Sequence, residues 1–146
     1  YFYMLGSMGL SSSIGLGLAI SQKKDVISID GDGSVLMNMS TLSTIGNRAP
    51  NNFTLLIIDN GSYGSTGDQR TFTSERTSLK EVAIASGCKK VIECSGKKTA
   101  SELLKAFKDK KNSYVIISKV NSGNIKVKPI PLNPITIRDR FRKLIN

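Results

Sequence analysis

The chain has 146 residues, a formal net charge of +10 and no histidine, with 39% hydrophobic and 22% charged residues. That composition is globular, and the length suits one domain that buries a core without disulfide staples or a structural metal. The missing histidine excludes Ser-His-Asp and Cys-His catalysis and most zinc or iron sites, and the apolar runs are too short to span a bilayer.

Cys88 and Cys94 match no zinc spacing and read as free thiols of a reducing cytoplasm. Tyr1 carries neither Met nor a signal-peptide pattern. Residues 1–146 are therefore expected to be a single domain, with a processed or truncated N-terminus as one reading. Residues 1–75 carry four Lys or Arg against six Asp or Glu, a net of −2; residues 76–146 carry seventeen against five, a net of +12. The first half thus encodes no electrostatic grip on a polyanion. In the second half, Lys97-Lys98, Lys108 to Lys111 and Arg138 to Lys143 read as solvated helix faces. Attraction of a dianionic substrate or an acidic partner is the other reading. Aromatics do not interleave with these runs, which disfavours nucleic acid.

In chain order, Tyr1 to Leu5 predicts a short strand running into Gly6-Ser7-Met8-Gly9. Leu10 to Ile20 predicts a helix whose Gly and Ser allow close packing. Asp25 to Asp30 is a predicted strand, ended by a Gly31-Asp32-Gly33-Ser34 turn. Ser34 to Asn47 then has apolar residues at helical spacing, closed by Pro50. Phe53 to Ile58 is a continuous apolar run, the mark of a strand buried on both faces. Asn60 to Ser78 is rich in Gly, Ser and Thr and predicts a long functional or mobile loop. Helix over Leu79–Ser86, strand over Lys90–Cys94, helix over Thr99–Lys111 and strand over Tyr114–Val120 follow. Asn121 to Asn133, with Pro129 and Pro131, is irregular, and Thr136-x-x-Asp139 has the form of a capping box before a last helix to Ile145.

This alternation predicts an α/β fold: a doubly wound, mostly parallel sheet with helices on both faces. Ligands of such sheets lie beyond the carboxyl ends of the strands. The loops at 6–9, 31–34 and 60–67 should therefore share one edge. Asp32 among glycines and helix N-terminal donors suits a divalent cation bridging phosphates better than a phosphate itself, although a solvent-facing Asp-Gly turn has the same sequence. At the end of the next strand, Asn60 offers a neutral oxygen and the chain beyond it a carbonyl. Together with Asp32 and diphosphate oxygens these would build an octahedral Mg²⁺ site of hard oxygen donors.

Gly31-Asp32-Gly33 followed at this distance by Asn60 resembles the diphosphate-binding motif of thiamine-diphosphate enzymes. That motif usually ends in two Asn, and Asp59 stands in the first place here. The resemblance implies Asp32, Asn60 and the Ser62 carbonyl as Mg²⁺ ligands, with Gly31, Gly33, Ser34, Tyr63 and Gly64 at the diphosphate. Gly6-Ser7-Met8-Gly9 resembles the turn that holds this cofactor bent. It implies Met8 as the fulcrum, the Gly6 carbonyl as acceptor from the 4′-amino group, and Ser7 beside them; taken alone, Met8 also reads as a core residue.

The runs Tyr3–Gly9, Ile29–Met37 and Ile58–Gln69 are similar to the 2-oxo acid decarboxylases of sulfopyruvate and phosphonopyruvate. They most resemble the β-type chains of the sulfopyruvate enzymes, which are split into two chains and serve coenzyme M synthesis. The resemblance implies non-oxidative decarboxylation of a small anionic 2-oxo acid, sulfopyruvate to sulfoacetaldehyde and CO₂, with phosphonopyruvate or an acetolactate-synthase-like use of pyruvate as alternatives. It also implies a Glu that activates the cofactor. Glu75, Glu81, Glu93 and Glu102 all lie outside the motif loops. That Glu is therefore expected from a pyrimidine-binding, α-type partner chain, with no catalytic residue in this one. Tyr63 to Gln69, with hinges at Gly61, Gly64 and Gly67, is expected to close over the site. A non-catalytic phosphate- or nucleotide-binding module is the alternative from a different class.

Overall fold

The structure is a computed structural model and describes residues 1–123, 127, 128 and 130–145. The chain divides into two compact units, Met8–Gly123 and a smaller one of Tyr1–Ser7 with Asn124–Asn146.

The larger unit runs α1 (Ser11–Ser21), β1 (Val26–Gly31), α2 (Asp32–Met37), α3 (Ser40–Arg48) and β2 (Phe53–Asp59). A small hairpin of β3 (Ser62–Tyr63) and β4 (Gln69–Arg70) and a 3₁₀ turn (Phe72–Ser74) follow, then α4 (Leu79–Ala85), β5 (Lys90–Ser95), α5 (Lys97–Lys108) and β6 (Tyr114–Lys119). The main sheet has the order β1-β2-β6-β5, and every pairing in it is parallel. After β2 the chain passes the place of β6 to build β5, then returns through α5 to β6. Right-handed crossovers made in opposite directions place their helices on opposite faces. Leu16, Val35, Leu42, Ile45 and Leu79 accordingly pack with Leu55, Ile57, Val115 and Ile117 on one face. Ala106 and Leu103 of α5 pack with Leu56 and Ile116 on the other. Ile27 and Ile29, on the α5-side face of β1, remain exposed. This is the doubly wound α/β fold.

Small residues set two of the contacts. A Cβ on Gly15 would lie 2.9 Å from the Ser28 Cβ and 3.2 Å from the Phe53 ring, so glycine lets α1 lie directly on β1. A Cβ on Gly46 would lie 2.3 Å from the Ser86 carbonyl oxygen, where α3 meets the end of α4.

Several local expectations need correction. The predicted Ser34–Asn47 helix is two helices, broken at Asn38, whose φ/ψ of −144°/53° is not helical. The Asn38 amide donates to the Gly9 carbonyl (2.7 Å) and contacts the Ser13 hydroxyl (3.2 Å); these tertiary bonds compete with helix continuation. The Gly31–Ser34 turn is the entry to α2, which already includes Asp32. The Asn60–Ser78 stretch is not an irregular loop, because Ser62 pairs with Arg70 and Tyr63 with Gln69.

In the smaller unit, Tyr1–Leu5 forms no strand, so the 6–9 loop does not follow one. A strand needs a ladder partner, and this segment has none among the described residues. Phe2 instead packs on Phe141 of α6 (Pro134–Ile145), ring centroids 5.0 Å apart. The cap of α6 is Asn133 rather than Thr136: its Oδ1 accepts the amides of Ile135 (2.8 Å) and Thr136 (3.3 Å), and Pro134 takes the first helical position. Pro129 lies outside the described residues.

Candidate functional site

β1 and β2 end side by side in parallel register, Gly31 opposite Ile58, which brings the two strand-end motifs together at the carboxyl edge. Asp32 is 1% exposed, and its Oδ2 accepts hydroxyl hydrogen bonds from Thr71 (2.5 Å) and Thr73 (2.8 Å). The Thr73 hydroxyl also contacts Asp59 Oδ1 (2.9 Å), so one side chain links the ends of both strands. Asp59 is buried too. Its Oδ1 accepts the Gly61 amide (3.2 Å), and its Oδ2 pairs with Lys119 Nζ (2.5 Å) at the matching position of β6.

Asn60 turns its Oδ1 back onto the Ser62 amide (3.1 Å), a short side-chain turn at the strand exit. The buried Ser62 hydroxyl donates to Asp68 Oδ1 (2.6 Å), across the hairpin. The amides of Thr66, Gly67 and Asp68 all point to the Tyr63 carbonyl, so the hairpin tip folds on itself. The Tyr63 ring covers Gly33: a Cβ there would lie 2.4 Å from a ring carbon. Ser34 accepts the Gly9 amide on its hydroxyl (2.7 Å), which ties the Met8-Gly9 segment to α2. Met8 is 38% exposed rather than core.

Asp32, Gly33, Ser34, Asn60, Ser62, Tyr63 and Gly64 therefore lie within one connected edge of the larger unit, with Met8 adjoining through Gly9. Gly6 and Ser7 belong to the smaller unit. Both have left-handed backbones, φ 78° and 58°, consistent with a tight turn. Sequence reasoning missed Thr71, Thr73 and Lys119. Neither the register that sets Lys119 opposite Asp59 nor the return of Thr71 and Thr73 to Asp32 is written in the local sequence. Asp30, at the strand end, is also buried. Desolvation pushes its carboxyl up, against weaker opposing hydrogen bonds from Ser34, Gly31 and Ser12, and its Oδ2 has no hydrogen-bond partner among the described residues.

Among the described residues no cluster of three or more His, Cys, Asp or Glu is poised for a metal. The donor set at this edge is a different kind: one carboxylate, one amide oxygen and a main-chain carbonyl, all hard oxygens that fit Mg²⁺. A Cβ on Gly31 would meet nothing within 4 Å, so the end of β1 leaves open space at that residue. The residues present thus fit a divalent cation with a diphosphate.

In parallel α/β sheets ligands bind beyond the carboxyl ends of the strands, where this edge lies, and residues 1–118 match the family described as thiamine pyrophosphate enzyme, C-terminal TPP binding domain. The chain belongs to that family. It is 47% identical over 144 residues to the sulfopyruvate decarboxylase subunit beta of Methanocaldococcus jannaschii, covering 99% of this chain and 76% of that one. The Methanococcus maripaludis subunit beta is 49% identical over 147 residues, covering 99% of this chain and 77% of that one. In fold, 79% of the chain superposes on 46% of a 2-oxoglutarate:ferredoxin oxidoreductase chain from Magnetococcus marinus, with a TM-score of 0.65 at 18% identity.

Proposed function

We propose that this chain is the diphosphate- and Mg²⁺-binding subunit of a two-chain decarboxylase that converts 3-sulfopyruvate to sulfoacetaldehyde and CO₂, within coenzyme M biosynthesis. The observation that carries the reading is the buried Asp32 carboxylate, held by two threonine hydroxyls beside Asp59-Asn60. The extent of identity to subunits beta of sulfopyruvate decarboxylase supports the substrate.

Asp32, the Asn60 side chain and the Ser62 carbonyl would hold Mg²⁺. Main-chain groups of Gly31, Gly33 and Ser34, with Tyr63 and Gly64, would meet the diphosphate. The Gly6-Ser7-Met8 turn would support the rest of the cofactor, Met8 by apolar contact. Bound thiamine diphosphate supplies the nucleophile and the electron sink for loss of CO₂. The chain's own part is to orient that group, and the hairpin from Tyr63 to Gln69 would exclude water from it. A glutamate for proton transfer is absent from these loops, so an α-type partner subunit supplies it across the interface. The two free cysteines suit a reducing cytoplasm.

The test is co-purification with the partner, then calorimetric titration with thiamine diphosphate and Mg²⁺ and an assay of CO₂ release from sulfopyruvate, phosphonopyruvate and pyruvate. Binding that needs Mg²⁺ and preferred turnover of sulfopyruvate are expected. Preferred turnover of either other acid moves the substrate; no cofactor binding sinks the reading. Asp32→Ala should abolish the metal-dependent binding, and retained affinity would remove Asp32 from the metal site.

A further inference from the structure

We propose that Lys119 is a positioning residue that keeps the Asp59 carboxylate out of the metal's ligand set, leaving Asp32 as the carboxylate of that set. The inference rests on the function proposed above and assigns a residue beyond it.

A carboxylate is a stronger ligand for Mg²⁺ than an amide oxygen, and Asp59 immediately precedes Asn60. It is also buried, 3% exposed, and joined to Asp32 through a single hydroxyl. By composition alone it should compete for the cation. Its bonding opposes this. Oδ2 is engaged by the Lys119 ammonium and Oδ1 by the Gly61 amide, with the Thr73 hydroxyl 2.9 Å away. The strand register enforces the pairing: Asp59 and Lys119 are the last partners of β2 and β6, and the Val120 amide donates to the Asp59 carbonyl (2.9 Å).

Proton counting points the same way. Four short contacts join Thr71, Thr73, Asp32 and Asp59. Two hydroxyls provide only two protons for them. Two anionic oxygens sharing one hydroxyl repel, and the Lys119 charge offsets that repulsion at the Asp59 end. Asp59 is thereby paired with a cation, whereas Asp32 has no ion-pair partner among the described residues.

The experiment uses the chain co-purified with its partner and reads two affinities by calorimetry: Mg²⁺ alone, and thiamine diphosphate at saturating Mg²⁺. Lys119→Met removes the ammonium and keeps the stem. Mg²⁺ should then bind about tenfold more tightly and thiamine diphosphate about tenfold more weakly, because an unpaired carboxylate attracts the cation and repels the diphosphate. Asp59→Asn with Lys119→Met should return both values to near wild type. A purely structural ion pair would not move the two affinities in opposite directions. Mg²⁺ affinity that is unchanged or weaker in Lys119→Met, or a double variant that restores neither value, overturns the proposal. Should Lys119→Met not fold, Asp59→Asn alone decides: its unpaired ammonium must weaken Mg²⁺ binding, and unchanged or tighter binding overturns the inference. Failure of wild type to bind thiamine diphosphate would instead remove the proposed function, while the Mg²⁺ titration still judges the roles of Lys119 and Asp59.

Discussion

Gly33 lies in the first turn of α2 beneath the Tyr63 ring, where an added methyl would collide with two ring carbons and crowd Thr71 at 3.1 Å. Its backbone is helical, so the collision rather than the conformation forbids a side chain. Gly33→Ala should cost about 1–3 kcal/mol by overpacking, despite the better helix propensity of Ala. Urea unfolding measures it, and an unchanged midpoint would mean that Tyr63 moves aside freely. At this scale the site was partly legible. Asp32 and Asn60 announce themselves by chemistry and spacing. Thr71 and Thr73 do not, since threonines in a polar stretch look alike until the hairpin returns them to Asp32.

Between elements, the turn from α5 to β6 is closed by Asp109. Its carboxylate accepts from the Tyr114 hydroxyl (2.7 Å), the Asn112 amide (2.8 Å) and the Lys111 main-chain N–H (2.9 Å). These bonds, Tyr114 first, hold the Asp109 carboxyl at about 2, and the same contact pushes the Tyr114 hydroxyl up to about 12. A lowered carboxyl stabilises the fold above the ordinary value of 3.8 and loses that contribution as pH falls through about 2. A raised phenol does the reverse, stabilising below 10 and losing the contribution as pH rises through about 12. Tyr114→Phe should therefore melt below wild type at pH 7, with the gap closing towards both extremes. A gap that stays constant with pH would show that the hydroxyl acts only through packing. Gly46→Ala should be far more disruptive, by roughly 3 kcal/mol or more, because the obstructing atom is the Ser86 carbonyl oxygen and backbone cannot step aside; thermal melting reads it directly. Most elements could be read from apolar periodicity. The break at Asn38 could not, because it depends on a bond to the distant Gly9.

For the whole molecule, a net charge of +10 suggests nucleic acid, yet the residues gathered at the candidate site come from the slightly acidic first half, with Thr71, Thr73 and Lys119 as supports. Binding to duplex DNA should accordingly be weak; a steep fall of a strong affinity with salt would reverse that view. Among the described residues no helix is long and apolar enough to cross a membrane. If a partner completes the site as proposed, the chain alone should bind thiamine diphosphate at least about tenfold more weakly than the complex does, a difference of about 1.4 kcal/mol that calorimetry resolves. Equal affinities would mean that the partner adds nothing to cofactor binding.

The α/β alternation, the buried strand β2 and the two motifs at the ends of β1 and β2 were legible in the chain alone. These follow from local periodicity and residue chemistry, and both are written along the chain. Three features needed the folded molecule: Tyr1–Leu5 is no strand, Asn133 caps α6, and Asp59 pairs with Lys119 beside Thr73. Each of these depends on which distant or alternative partner satisfies a polar group. A hydrogen bond or ion pair is settled by what three-dimensional packing brings within about 3 Å, and linear order does not encode that distance.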